Sequence, residues 1–326
     1  MVAIMSQARL GWIGLGTMGL AMASHLQRHL NDVSGEPLCC WNRTPEKGAP
    51  VVKLGARMVS NVEEVAKQCD VIFHCLSDDA AVKSSLTRIL AALREKEGQK
   101  KKKQKTVLVE LSTVHPDTIA WLADEVSRDN IAGIVSSPVM GSASAAEKGQ
   151  LLALVSSTDA CSADIVKPYL EGIVAQRALF LGCDVCKASQ LKLVANSLLL
   201  GITEAVSAAH VMAQKVGVGS GALHSLIEGM FTPASALYNY SDRIVSGAYK
   251  QPVDGTPSFR VELAIKDGKH ALALANGVGM DHQALKLALS HLEEARMAVP
   301  LSEGQLDSTA MAGAIRVRSG LTFKDE

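Results

Sequence analysis

The feature that most restricts the fold is a regular alternation of short apolar segments with helical ones over the first half of the chain. Short segments rich in β-branched and apolar residues are typical of buried strands, and the stretches between them carry apolar residues at helical spacing. The predicted strands lie in RLGWIGL, PLCCWN, DVIFHCL, TVLVELS, IAGIVSSPV and LLALVSS, and the predicted helices in MGLAMASHLQRHL, NVEEVAKQ, DAAVKSSLTRILAALREKE and PDTIAWLADEVSRD. This alternation predicts a parallel sheet with helices on both faces, the Rossmann-type doubly wound α/β arrangement.

The second half of the chain has a helical pattern throughout. Its first segment, ASQLKLVANSLLLGITEAVSAAHVMAQKV, contains no proline and one glycine, which predicts a single helix about 40 Å long. We therefore expect a Rossmann-like domain over residues 1–186 and an all-α domain over residues 187–326, connected by this long helix. Because so long and apolar a helix needs cover, we also expect a homodimer.

The composition favours a small-molecule partner. Lys+Arg 33 balance Asp+Glu 33 in 326 residues, so the total charge points to neither nucleic acid nor an anionic membrane. The lysine-rich stretch that includes Lys100–Lys103 is typical of a solvated loop, with a nucleic-acid or nuclear-import patch as the alternative. The N-terminus lacks a signal-peptide pattern, and we expect no apolar run of membrane length.

The cysteines favour reduced thiols. Seven cysteines, an odd number in apolar or turn-like surroundings, suit free thiols in a cytoplasmic protein better than a disulfide framework. Cys183 and Cys186 form a CxxC, but no second pair lies at zinc spacing. We therefore expect no metal site.

A glycine motif follows the first predicted strand and opens the first predicted helix. Gly14, Gly16 and Gly19 spell GxGxxG. In a dinucleotide site the first glycine allows a tight turn, the second admits the pyrophosphate, and the third lets helix and strand pack closely. Glycines that serve packing alone are the alternative. The motif predicts cofactor contacts at Gly14, Leu15, Gly16, Thr17, Met18 and Gly19.

The end of the second predicted strand indicates which dinucleotide binds. An acidic residue there accepts the free ribose 2′-hydroxyl, whereas an arginine accommodates a 2′-phosphate. Here Asn42, Arg43 and Thr44 follow Trp41, and no acid occurs before Glu46. We predict NADP(H) with Arg43 as the main determinant and NAD(H) as the alternative; a plain surface role for Arg43 stays open.

Six blocks of the chain, in order, resemble the β-hydroxyacid dehydrogenases of the 6-phosphogluconate dehydrogenase superfamily. The blocks are IGLGTMGLAMASHL, WNRTPEK, ELSTVHPDT, PVMGSASAAEKGQL, LKLVANSLL and LAIKDGKHALALA. The family includes 3-hydroxyisobutyrate dehydrogenase and the glyoxylate/succinic semialdehyde reductases. The resemblance implies an NADP(H)-dependent oxidoreductase that interconverts a small hydroxy acid and its semialdehyde or keto form.

The central site residue is expected to be Lys192. It lies in an apolar helical run beside Leu191, Leu193 and Val194, which suggests a buried ammonium, although a lysine that reaches solvent from the helix flank is the alternative. Asn196 lies four residues later, on the same helix face. By resemblance, Lys192 is the general acid or base and Asn196 positions the substrate.

The resemblance implies further contacts at strand ends and in the second domain. It places Ser112 against the substrate, Thr113, Leu76 and Ser77 against the cofactor, and Lys266, next to Asp267, over the cofactor. The Ser112–Thr113 pair also fits an N-cap of the following helix, with Asp117 as a competing cap. Without the resemblance, Lys266 fits an exposed helix residue.

Two positions depart from the family pattern. Met140 stands where relatives carry a serine for a substrate carboxylate, so this wall is more apolar, while the amides of Gly141 and Ser142 still suit an oxyanion. Before Lys192, Cys186 and Ala188 replace the usual glycines of a turn. An imine reductase and a non-catalytic NADP-binding scaffold are the alternative functions, and the retained lysine argues against both.

Overall fold

The computed structural model describes residues 8–97, 105–233, 235–253 and 255–324. The predicted loop at Lys100–Lys103 lies outside them. The chain forms two compact units, Met1–Lys192 and Leu193–Glu326. This division falls within the first turns of the long helix, a few residues after the boundary expected from the sequence.

The first unit combines a large sheet with seven helices among its described residues. Its strands are β1 (Leu10–Ile13), β2 (Cys39–Trp41), β3 (Arg57–Met58), β4 (Val71–His74), β5 (Thr106–Glu110), β6 (Ala132–Ser136), β7 (Val139–Met140), β8 (Leu152–Ser157) and β9 (Arg177–Phe180). Its helices are α1 (Thr17–Asp32), α2 (Ala49–Lys53), α3 (Val62–Gln68), α4 (Asp79–Glu97), α5 (Pro116–Asp129), α6 (Ala143–Glu147) and α7 (Ala160–Leu170).

The sheet confirms the doubly wound prediction and corrects it at one edge. Its order is β3-β2-β1-β4-β5-β6-β8-β7, with β9 against β8. The strands from β3 to β6 pair in parallel, whereas β6 and β7 both pair with β8 antiparallel. The five-residue α6 is too short for the crossover that a parallel connection needs, so the chain reverses there.

Alternate strand residues enter two buried clusters, one on each face of the sheet. In β4, Val71 and Phe73 belong to one cluster and Ile72 to the other. Trp12 of β1 stacks on Phe73 at 5.3 Å between ring centroids. This period of two explains why the strands are apolar almost throughout.

The second unit is helical, as predicted, apart from one short ladder. The long helix α8 (Lys187–Lys215) begins in the first unit and is followed by α9 (Ser220–Met230), α10 (Ala236–Val245), α11 (Val261–Gly277), α12 (Gln283–Ala298) and α13 (Met311–Arg318). The observed span of α8 differs from the predicted one by a single residue at each end. Strands β10 (Lys250–Gln251) and β11 (Gln305–Leu306) pair antiparallel and had no sequence signal.

Contrary to our expectation for apolar runs, α8 is long and apolar enough to cross a membrane by length and composition alone. Several of its polar and ionisable side chains nevertheless lie inside the protein. Lys192, Asn196, Glu204 and His210 are all buried. Burial of such groups by protein is typical of a core helix, because each needs polar partners that hydrocarbon does not offer.

Candidate functional site

The turn between β1 and α1 requires two of its three glycines for internal packing. Gly14 has φ +96°, and a Cβ there would lie 2.1 Å from the carbonyl oxygen of Cys75. A Cβ on Gly19 would lie 2.2 Å from the carbonyl oxygen of Gly14. Both positions therefore exclude larger residues for reasons of backbone conformation and close approach.

Gly16 has a different environment. A Cβ at this position would meet no atom within 4 Å, and Gly16 is exposed. It is the N-cap of the 16-residue α1, whose first turn contains no acidic residue. Unpaired amides and the positive end of a helix dipole therefore face open space, which fits a phosphate group.

Asn42 joins the turn after β1 to the segment after β2. Its Oδ1 accepts a hydrogen bond from the Leu15 amide at 2.8 Å, and its Nδ2 donates to the Thr44 carbonyl at 2.7 Å. Arg43 and Thr44 are exposed beside this link. The structure thus brings together the two segments that the sequence assigns to a dinucleotide.

The segments after β4 and β5 are also joined. The amide of Leu76 donates to Ser112 Oγ at 2.7 Å. The alternative role of Ser112 and Thr113 as a helix cap is wrong, as is a cap at Asp117. His115 caps α5 instead, and its Nδ1 accepts from the Asp117 amide at 3.3 Å. A cap must immediately precede the first helical residue, here Pro116, and Ser112 lies too far upstream.

Lys192 is buried in α8, with 9% of its surface exposed. Its Nζ donates to Met140 Sδ at 3.4 Å, so the residue that departs from the family pattern lies against the amine. The burial of Lys192 is as expected from its apolar neighbours, of which Leu193 is buried and Val194 is 56% exposed. At 3.6 residues per turn, Val194 points about 160° away from Lys192.

The segments on either side of this pair are fixed locally. Gly141 has φ +140°, and Ser142 Oγ caps α6 by accepting from the Ala145 amide at 3.2 Å. Before α8, Asp184 Oδ1 accepts from the Cys186 amide at 3.2 Å. An Asx turn therefore fixes the backbone of this segment.

In the second unit, Asp267 of α11 holds two predicted site residues. Its Oδ2 accepts from Asn196 Nδ2 at 2.8 Å, and its Oδ1 forms an ion pair with Lys266 Nζ at 3.1 Å. Asp267 is buried, and the Lys266 side chain is only 20% exposed, so Lys266 is not an ordinary surface residue. Asn196 lies one turn after Lys192 on the same face of α8.

Sequence reasoning missed a buried pair at the ends of β4 and β5. His74 Nδ1 lies 2.7 Å from Glu110 Oε2, and Glu110 Oε1 accepts from the Ser112 amide at 2.8 Å. The sequence does carry a signal for this pair: in DVIFHCL and in TVLVELS, one ionisable residue follows the apolar residues of the strand.

Among the described residues, no group of three or more His, Cys, Asp or Glu side chains is arranged so that it could hold a metal ion. Cys183 and Cys186 are free thiols, and burial raises the pKa of Cys186. Burial also raises the pKa of Cys40, in β2, to about 12. Cys40 is therefore a neutral packing residue.

Two family models match the chain. The NAD binding domain of 6-phosphogluconate dehydrogenase matches residues 9–182, and the NAD-binding domain of NADP-dependent 3-hydroxyisobutyrate dehydrogenase matches residues 186–315. Together with the glycine turn and the doubly wound sheet, these matches define an oxidoreductase that uses a nicotinamide dinucleotide.

Similar proteins cover nearly the whole chain. NADH-dependent oxidoreductase ucdB of Aspergillus ustus is 32% identical over 94% of this chain and 98% of its own length. Glyoxylate/succinic semialdehyde reductase 1 of Arabidopsis thaliana is 27% identical over the same shares. The structure of Mycobacterium tuberculosis 3-hydroxyisobutyrate dehydrogenase with L-serine shares the fold, with a TM-score of 0.76, 20% identity, and coverage of 95% of this chain and 99% of that one. The chain belongs to the β-hydroxyacid dehydrogenase family.

Proposed function

We propose that this protein is an NADP(H)-dependent reductase of a small aldehyde or ketone, and that the reaction is reversible. The observation that carries the proposal is the buried amine of Lys192, on a helix face shared with Asn196, in a chain with an open phosphate cradle at Gly16. Burial of a charged amine costs free energy, so a lysine buried beside Met140, with its Nζ 3.4 Å from the Met140 Sδ, suits a chemical role.

Each site residue has a separate role in the proposed reaction. The dinucleotide supplies the hydride when bound. Lys192 donates a proton to the carbonyl oxygen and accepts it in the reverse direction, which is general acid–base catalysis. Asn196 orients the substrate, and Asp267 holds the Asn196 amide at 2.8 Å. The amides at Gly16 and Thr17 would hold the phosphates, with Arg43 at the 2′-phosphate.

A panel assay tests this function. We expect purified protein to oxidise NADPH in the presence of glyoxylate or of succinic, methylmalonate or tartronate semialdehyde. Cyclic imines serve as the competing substrate class, because Met140 makes an imine reductase the second candidate. Binding of dinucleotide without turnover of any carbonyl would contradict the reductase and favour a scaffold.

Met140 is expected to set the preference among carbonyl substrates. A hydroxyl donates to a carboxylate, whereas a thioether only accepts weakly. We expect Met140→Ser to raise kcat/KM for carboxylate-bearing aldehydes about tenfold or more relative to uncharged aldehydes, since a hydrogen bond to a charged group contributes about 1.5–3 kcal/mol. Met140→Leu is the control. An equal change for both substrate classes would place the carboxylate away from this residue.

Arg43 is expected to decide the dinucleotide. The relative from A. ustus is named NADH-dependent, whereas β2 of this chain is followed by an exposed arginine. We expect Arg43→Asp to weaken NADPH binding about a hundredfold and NADH binding by less than threefold, because a charge pair is replaced by repulsion. Lys47→Asp, an exposed site in the same segment, is the control. Equal losses of both dinucleotides would show that the 2′-phosphate lies elsewhere.

We also propose that the protein forms a homodimer through apolar residues of its second unit. Leu198 and Met212 of α8, with Leu226 and Met230 of α9, are each more than half exposed. Contiguous exposed apolar side chains mark interaction surfaces, and we propose that these four residues belong to one. Light scattering on the purified protein checks the mass, and a monomer at micromolar concentration would contradict the dimer.

A further inference from the structure

The last residues of β4 and β5 form a buried polar pair that the proposed chemistry does not use. His74 and Glu110 are register partners across two parallel strands, and each is 2% exposed. Their hydrogen bond, between His74 Nδ1 and Glu110 Oε2, is 2.7 Å long. Because an ionised carboxylate only accepts, Nδ1 carries the proton in this contact.

The pair belongs to a closed set of contacts between two loops. Glu110 Oε1 accepts from the Ser112 amide at 2.8 Å, and Ser112 Oγ accepts from the Leu76 amide at 2.7 Å. Leu76 follows His74 by two residues, as Ser112 follows Glu110. The loop after β5 is therefore held by the end of its own strand, Glu110, and the loop after β4 is held by Ser112.

This network does not satisfy all of its buried polar atoms. Two of them lack a hydrogen-bond partner among the described residues: His74 Nε2 and the Oγ of Ser136, which pairs with Glu110 in the sheet register. An unsatisfied buried polar group costs about 1–3 kcal/mol. Apolar side chains at these positions would stabilise a fold at least as well. The pair is therefore better explained by the loop geometry that it imposes than by stability.

We infer that His74 and Glu110 are positioning residues for the dinucleotide, acting through Leu76 and Ser112. This inference rests on the proposed function. The two loops lie at the carboxyl ends of neighbouring parallel strands, where open α/β sheets bind their ligands. Glu110 fixes the Ser112 amide, Ser112 Oγ accepts from the Leu76 amide, and His74 holds Glu110, so the three contacts link the histidine to both loops.

Two substitutions of the histidine separate positioning from packing. His74→Leu removes the donor to Glu110, whereas His74→Asn keeps one, because the asparagine Nδ2 takes the place of the histidine Nδ1. We expect His74→Leu to raise the dissociation constant for NADPH about tenfold, as loss of a charge-assisted hydrogen bond implies. His74→Asn should stay within about twofold of wild type. Titration calorimetry measures both, at a temperature where each variant is fully folded.

Ile72→Ala is the matched control, since Ile72 is buried two residues earlier on the same face of β4. It should lower Tm and leave the dissociation constant unchanged. An unchanged dissociation constant in His74→Leu, an equal rise in His74→Leu and His74→Asn, or a similar rise in Ile72→Ala would overturn the inference alone. Failure of the wild-type protein to bind NADPH or NADH would overturn the proposed function, and the inference with it.

Discussion

Replacement of Lys192 by alanine is expected to lower kcat for carbonyl reduction by about a hundredfold to ten-thousandfold, the range that general acid–base groups contribute. The loss should fall on kcat, because the proposed role of Lys192 is to provide the proton that the carbonyl oxygen needs as the hydride arrives. Dinucleotide affinity should stay within about twofold of wild type, since the proposed phosphate cradle lies at Gly16 and not at α8. Steady-state kinetics and calorimetric titration with NADPH measure the two effects.

Two variants control this experiment. Lys187→Ala removes an exposed lysine from the first turn of the same helix and should leave kcat unchanged. Lys192→Met keeps the length of the side chain beside Met140 and removes only the proton donor, so it should be as inactive as Lys192→Ala. Undiminished turnover in either Lys192 variant would rule out this residue as the acid.

The glycine turn provides the second large effect. Gly14→Ala forces an L-residue into φ +96° and sets its Cβ 2.1 Å from the Cys75 carbonyl oxygen. Strain of this kind costs about 1–3 kcal/mol before the clash is counted, so Tm should fall by roughly 5–10 °C and dinucleotide binding should be lost.

Gly16→Ala separates dinucleotide binding from stability, which Gly14→Ala does not. Its backbone, at φ −70° and ψ −176°, suits alanine, and a Cβ there would meet no protein atom within 4 Å. We expect a change in folding free energy of no more than about 1 kcal/mol, the cost of a weaker N-cap. Dinucleotide affinity should nevertheless fall at least tenfold, because the methyl group would occupy the space proposed for the pyrophosphate. Wild-type affinity in Gly16→Ala would show that the phosphates do not approach this residue.

Much of the fold was predictable because its signals are local. The alternation of apolar and helical segments identified β1, β2, β4, β5, β6 and β8, and the spacing in α8 predicted its ends to within one residue. The antiparallel edge at β7 and β8 and the ladder of β10 and β11 were not predictable. Each involves segments of two residues or a change of direction, which non-local pairing decides.

For the candidate site, the residue types were predictable from the sequence and their partners were not. The residue types of the glycine turn, Arg43 and the lysine in α8 carry their chemistry wherever the fold places them, so the sequence alone predicted them. The partner of each side chain was a different matter. The contacts that fix these side chains join residues far apart in the chain: Asn42 with the Leu15 amide, Met140 with the Lys192 amine, and Asp267 with Asn196.

The sequence by itself determined the class of domain, the presence of the glycine turn and the family, because local spacing and residue type suffice for these. Only the tertiary structure decided that Ser112 joins two loops and caps no helix, and that His74 and Glu110 lie opposite each other. The physical reason is strand register: it sets which side chains meet across a sheet, and long-range packing determines it.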